Sequence, residues 1–154
     1  MRAGGEIGLN GEPEFRWVAE PSLLAAALAL REQVFVREQG VSAHEELDGR
    51  DDEALHLVAL ARGSVSVLGT LRVLLDGQVA KIGRVAVARE FRRRGIAASM
   101  LELALAEARG RGARRARLAA QVEALALYER AGFAVESAPF QDAGIEHVWM
   151  GRQL

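Results

Sequence analysis

Residues 82–98 constrain this chain more than any other stretch. Ile82-Gly83-Arg84-Val85-Ala86-Val87-Ala88 reads as a strand, Arg89-Glu90-Phe91-Arg92-Arg93-Arg94 as a basic turn, and Gly95-Ile96-Ala97-Ala98 as the opening of a helix. The first amides of a helix have no partner within it, and the helix dipole places positive potential at that end. An entrance built from small residues therefore lets a phosphate approach the main chain. The other phosphate signatures do not fit: no GxxxxGK[ST] run is present, and no GxGxxG joins a strand to a helix with an acid suitably downstream. ATP hydrolysis and Rossmann dinucleotide binding lose support.

The flanking sequence predicts how such a crossover is carried. Residues 15–19 alternate as a strand, and Pro21-Ser22 opens an Ala/Leu-rich helix running to about Gln39 and ended by Gly40. Residues 42–53 are polar, acidic and turn-rich around Asp48-Gly49, which predicts a surface loop or a short second helix. Three strand-like runs follow at 55–61, 64–75 and 79–88, separated by Arg62-Gly63 and Asp76-Gly77-Gln78, so consecutive antiparallel hairpins are expected. A helix over 95–109 carries an apolar stripe of Ile96, Met100, Leu103 and Ala104 and stops at Gly110 and Gly112. Residues 117–120 read as a strand, 123–131 as a helix ending at Gly132, and 133–137 with 145–151 as a closing strand pair. Residues 1–14, with glycines at 4, 5, 8 and 11, are expected to form a mobile lead-in, and 15–154 a single domain.

Composition narrows the chemistry. A chain of 154 residues, 50% hydrophobic, can bury a core without disulfides or structural metal. It has no cysteine, which excludes a thiol nucleophile and a cysteine-built metal site; His44, His56 and His147 have no zinc-like spacing, so no metal is expected. Net charge is only -1, yet residues 1–53 carry 12 acids against 5 bases, and residues 84–117 carry 10 arginines against three glutamates. Those arginines are spread over turn, helix end and strand, and aromatics make up only 5%, which argues against nucleic-acid binding. The apolar run at 23–30 is far shorter than the ~20 residues that span a bilayer. Acids at Glu6, Glu12, Glu14 and Glu20 precede it where a signal peptide would be basic. A soluble, cytoplasmic protein without membrane contact is expected; a homodimer is allowed but not required.

Four motifs in order carry a resemblance. Arg92-Arg93-Arg94-Gly95-Ile96-Ala97 matches [QR]-x-x-G-x-[GA] after the Val85-Ala86-Val87 strand, and Gln121, Ala124 and Tyr128 precede Gly132-Phe133. Over residues 15–151 the chain resembles the GNAT superfamily of acyl-CoA-dependent N-acetyltransferases, with Gln121 where Asn is commoner. The runs at 30–39, Asp48-Gly49-Arg50-Asp51 and Gly144-Ile145-Glu146-His147 are similar to its ElaA-type branch. The resemblance implies an α/β fold of the α+β kind: a mixed, mostly antiparallel central sheet of about seven strands flanked by about four helices, the central helix following the fourth strand. It implies acetyl transfer from acetyl-CoA to a primary amine of a small molecule or peptide, with a non-catalytic acyl-CoA-binding sensor or assembly module as the alternative.

The resemblance also assigns roles. Backbone groups of Val85, Ala86 and Val87 would pair with the pantetheine arm. The segment Arg92, Arg93, Arg94, Gly95, Ile96, Ala97 and Ala98 would surround the pyrophosphate, with Gln121 and Tyr128 completing the donor site. Transfer to an amine needs a neutral nucleophile, stabilisation of a developing oxyanion and a proton for the departing thiolate. An N–H near Val87 suits the second task and Tyr128, the only tyrosine, the third. For the base, Glu38, Asp48 and His147 are the candidates beside water. His56, between Leu55 and Leu57, reads as an exposed strand residue, and His44 has no evident partner. The acids Glu45, Glu46, Asp48, Asp51, Asp52 and Glu53 are expected to draw a cationic amine toward the thioester.

Overall fold

The computed structural model describes residues 12–154; most of the expected mobile lead-in, residues 1–11, lies outside the described residues. Strand β1 (Glu14–Trp17) is followed by helix α1 (Pro21–Arg31), which opens with proline in its first turn. The sequence predicts one continuous helix to Gln39, but the backbone widens into a π segment over Glu32–Glu38, with the Gln39 amide donating to the Val34 carbonyl at 3.1 Å. The wider turn re-phases the side chains at this end. Val34 remains packed with Leu30 and Ala86, while Glu38 reaches Arg92. A one-turn helix α2 (Ala43–Glu46), capped by the Ser42 hydroxyl, stands in the acidic segment.

Strands β2 (Leu55–Leu60), β3 (Val67–Asp76) and β4 (Val79–Val87) form the expected meander. Helix α3 (Ile96–Gly110) then crosses to β5 (Arg115–Gln121), and β5 lies parallel to β4. Helix α4 (Leu125–Arg130) leads to β6 (Ala134–Val135), β7 (Phe140–Asp142) and β8 (Ile145–Gln153). The sheet order is β1-β2-β3-β4-β5-β8-β6, with β7 also on β8. Among the described residues there are thus eight strands where about seven were expected. The extra one is β7, closed onto β8 by a two-residue turn in which Ala143 and Gly144 both have positive φ, the geometry that matches the twist of a hairpin.

Strand alternation sends the two faces to different helices. Leu57, Leu71, Val73, Ile82, Leu118 and Met150 join Ile96, Met100, Leu101, Ala104 and Leu105 of α3 in the main core. On the opposite face Val58 and Leu60 pack with Leu23 and Ala27 of α1. Two sequence expectations are corrected here. Leu103 is 39% exposed, because the buried stripe of α3 runs through Leu101 and Leu105 instead. His56 is buried, its Nε2–H donating to the Asp51 carbonyl at 2.9 Å, because this part of β2 is covered by the 42–53 segment.

The approach of α3 to the sheet is set at Gly69. A Cβ there would lie 3.0 Å from Met100 Cε and 3.1 Å from Ile96 Cγ2. Gly69→Val is expected to destabilise the protein by about 1–3 kcal/mol through overpacking, whereas Gly83→Ala, whose Cβ meets nothing within 4 Å, leaves stability nearly unchanged. Denaturant midpoints of the two variants check this; equal shifts would show that α3 can back away freely.

Candidate active site

The central feature is where the β4–β5 ladder ends. The two strands pair only over Val79–Arg115, Ala80–Ala116 and Lys81–Arg117, although β4 continues to Val87 and β5 to Gln121. The Ala88 amide donates to the Leu68 carbonyl on β3 at 2.8 Å. The adjoining Val87 amide and carbonyl therefore face the other way, toward β5. A bulge accompanies the change: Thr70 pairs with Ala86 but Arg72 with Gly83, so β4 holds one extra residue, and Arg84 sits at φ +53.

The chain then turns through Arg89–Phe91 into α3. Arg93 (φ +63) and Gly95 (φ +81) are left-handed, and none of the amides from Arg93 to Ala98 donates to another group of the chain among the described residues. Space above Gly95 is open, since a Cβ built there meets nothing within 4 Å. Left-handed residues alternating with others, and amides left free, are the features of an anion-binding concavity. The three arginines behave differently from one another. Arg92 donates from Nε to the Val87 carbonyl at 2.9 Å and from Nη2 to Glu38 at 2.8 Å, and Arg94 lies over the Phe91 ring at 5.3 Å. No carboxylate pairs with Arg93 among the described residues.

Tyr128 lies on α4, its ring buried edge-on to Phe133 at 6.4 Å. Among the described residues its hydroxyl makes no hydrogen bond and is not among the sealed, unpartnered polar atoms, so the hydroxyl tip is not fully enclosed. Burial pushes its pKa up to about 12. His147 on β8 lies opposite Gln121 on β5. Its Nδ1–H donates to the Ile145 carbonyl at 2.7 Å, an acceptor-only group, so that in the neutral ring the acceptor nitrogen is Nε2. Gln121 Nε2 donates to Gln39 Oε1 at 2.9 Å, tying the end of β5 to the end of the π segment.

On the α1 side of the sheet, three cations and three carboxylates interlock. Arg31, 1% exposed, donates to Glu46 Oε1 at 2.9 Å and to Asp51 Oδ1 at 2.7 Å. Arg72 donates to Asp48 Oδ1 at 2.9 Å and Asp51 Oδ1 at 3.0 Å, and Arg84 to Glu46 Oε1 at 3.0 Å. The Arg72 hydrogen bond chiefly holds the Asp48 carboxyl far below the usual carboxylate range, against the upward pull of burial. For Asp51 burial pulls upward most, and the bonds from Arg31 and Arg72 together outweigh it.

The family model described as acetyltransferase (GNAT) domain matches residues 25–154. The uncharacterized N-acetyltransferase YjcF of Bacillus subtilis is 33% identical over 128 residues, covering 82% of this chain and 90% of that one. The chain belongs to the GNAT acetyltransferases. Among solved structures, an acyl-CoA N-acyltransferase from Pseudomonas aeruginosa is 30% identical with a TM-score of 0.79, covering 92% of this chain and 99% of that one. Escherichia coli ElaA has a TM-score of 0.81 at 24% identity over 90% of this chain and 99% of that one, a likeness of fold.

Against this family background the candidate site residues sort by what holds them. Residues 85–98 come together at one end of the β4–β5 gap, and Gln121 and His147 share the neighbouring strands of the sheet. Asp48 is corrected: a carboxylate clamped by Arg72 and held that low does not take up a proton near neutrality, so it is an anchor and not a base. Glu46, Asp48 and Asp51 are likewise corrected as a steering field, because each is neutralised by an arginine. Glu38 is engaged by Arg92 and by Arg89 at 3.6 Å. The sequence reading does not single out Arg31, Arg72 and Arg84 as structural residues; arginines at strand positions of a hydrophobic meander are the signal that could have found the last two.

Because Asp48 and Asp51 have lowered pKa values in the folded state, their contribution to stability is complete above the ordinary carboxylate pKa of 3.8 and is lost as pH falls below it. Unfolding free energy is therefore expected to be flat from pH 7 to about pH 5 and to drop below about pH 4. Asp48→Asn should flatten that acid limb in denaturant melts at pH 3 and pH 7. An unchanged slope would show that the carboxylate is not clamped.

Proposed function

We propose that this GNAT enzyme transfers acetyl from acetyl-CoA to the primary amine of a small molecule or peptide by direct attack, with residues 15–154 acting as one cytoplasmic domain. The observation that carries the proposal is the run of unpartnered amides from Arg93 to Ala98 beside the free edge of β4. That pairing suits a donor with a diphosphate at one end and an amide-bearing arm at the other. Amides 93–98 would hold the diphosphate, with Arg93 adding charge, and Val85 and Val87 would pair with the arm as a strand neighbour does. The Val87 carbonyl is engaged by Arg92 in this structure, so the Val87 amide and the groups of Val85 are the ready partners.

Acetyl-CoA, when bound, supplies the acyl thioester. The Val87 N–H, facing the gap, would donate to an oxygen that gains negative charge. Tyr128, with its pKa pushed up to about 12, keeps its proton on Oη throughout the neutral range and is the proposed acid for the departing thiolate. Of the three base candidates His147 is the one with no arginine partner, and it is the proposed base, acting directly or through water.

Gly95→Glu places a carboxylate in the cradle at an open position, at a backbone cost of about 1–2 kcal/mol for a left-handed side-chain-bearing residue. The variant is expected to stay folded and to lose CoA binding in titration calorimetry. Tyr128→Phe and His147→Gln are expected to keep CoA affinity and to lower thiol release by about 100-fold with a reactive amine. Undiminished CoA affinity in Gly95→Glu contradicts the donor site. CoA binding without thiol release from any amine would identify the sensor alternative instead.

A further inference from the structure

The face of the sheet opposite α3 is covered by α1 only over β2, β3 and the end of β4. Further along, on β4, β5 and β8, the residues alternating with core positions Ala80, Leu118, Val148 and Met150 are Lys81, Arg117, His147 and Trp149. They form one cluster. Lys81, the chain's only lysine, has its Nζ 5.5 Å from the centre of the Trp149 ring, and the Arg117 guanidinium lies 4.2 Å from the same centre. Phe140 stacks on Trp149 at 5.5 Å and on His147 at 6.0 Å.

The charge of this cluster is not balanced. Glu136 is the carboxylate beside it; it pairs closely with Arg115 and is 3.9 Å from Arg117. No carboxylate reaches Lys81 among the described residues. Three cations thus share one acid on an accessible sheet face, where the Arg117 side chain is 41% exposed. Unlike the interlocked arginines under the 42–53 segment, these have spare donors. The position is informative as well, because Lys81 and Arg117 are the last pair of the β4–β5 ladder, at the closed end of the gap. From Lys81 to Val87 is six strand residues, about 20 Å, so these cations are too far from the amides at 93–98 to serve the diphosphate of the same donor.

We infer that Lys81 and Arg117, framed by Trp149 and Phe140, form the subsite for a carboxylate carried by the amine acceptor. The acceptor class is therefore an amine that also bears a carboxylate, and the inference rests on the acetyltransferase reading of the neighbouring gap. An arginine fork and an ammonium on one side of a carboxylate give charge-assisted hydrogen bonds, and the Trp149 ring holds both cations in place. The subsite replaces the expectation of a cationic acceptor drawn by the acidic segment, whose innermost acids are already paired.

The test uses the full chain with acetyl-CoA and pairs each of several amino-terminated acids long enough to reach from Val87 toward Lys81, the oligoglycines from triglycine to hexaglycine at about 10–20 Å end to end, with its own carboxamide. Thiol release is expected to favour the free acids. Lys81→Met and Arg117→Gln are each expected to lower kcat/KM for the acids by about 10- to 100-fold, mainly through KM, and to leave the carboxamides within about twofold. Equal loss for acids and carboxamides, preference for the carboxamides, or no effect of either substitution overturns the subsite. If thiol is released with other amines but with none of these acids, the subsite fails while the acetyltransferase reading stands. If no amine releases thiol, binding of the same acids to the CoA-saturated Trp17→Phe protein, read by Trp149 fluorescence, decides the subsite alone; quenching that Lys81→Met abolishes supports it, and no quenching refutes it. Sedimentation of both variants closes the remaining route: conversion of a dimer to monomer would make this face an interface between copies and would overturn the assignment.

Discussion

A β-strand in the middle of a sheet normally satisfies its backbone on both sides, and here β4 does so on only one. Its ladder with β3 runs the length of the strand, interrupted by a single bulge, while its ladder with β5 stops at Lys81. Everything assigned to the gap follows from this asymmetry. The amides and carbonyls from Ile82 to Val87 on that side need partners, and a main-chain donor or acceptor left without one is costly when water is excluded. The Arg92 side chain meets part of the need by taking the Val87 carbonyl. The crossover helix begins immediately afterwards, so the free strand edge and the free helix amides are contiguous.

The bulge that re-aims β4 is held from the opposite face. Arg84, in a left-handed conformation that a residue with a side chain adopts at a cost, is bonded to the Glu46 carboxylate and, from Nη2, to the Glu46 carbonyl at 2.9 Å. Glu46 is in turn held by Arg31, and Arg31 by Asp51, which shares Arg72 with Asp48. Removing one member would leave a buried charge without its counter-charge, which is why such clusters are strongly destabilised by single deletions while contributing little net stability when intact. Their effect here is positional: the 42–53 segment, the end of α1 and the bulge of β4 are fixed relative to each other, so the segment walls the site and is not a loose acidic loop.

Much of this is legible in the chain alone. The meander, the crossover helix and its small-residue entrance at Gly95 are local patterns, in which period-two strands, glycine punctuation and small residues at a helix start act over a few residues. What is not legible depends on partners distant in sequence. Asp48 and Glu46 read as solvated acids because the arginines that bury them lie on α1, β3 and β4, up to 38 residues away. His56 reads as exposed because its cover is a segment with no apolar pattern. The π segment at Glu32–Glu38 changes hydrogen-bond spacing without changing composition, and β7 is too short to show alternation. Lys81 and Trp149 are individually unremarkable until the register places Arg117 beside Lys81 and opposite Gly151.

The proposed acetyl transfer depends on the donor lying along β4 with its diphosphate on the amides that open α3. Titrating unlabelled CoA into the isotope-labelled protein and following backbone amide resonances measures this directly. The largest shifts are expected at residues 93–98 and at Val87, with Lys81 and Arg117 little affected. Saturable binding whose shifts fall elsewhere, leaving residues 93–98 unmoved, would contradict it.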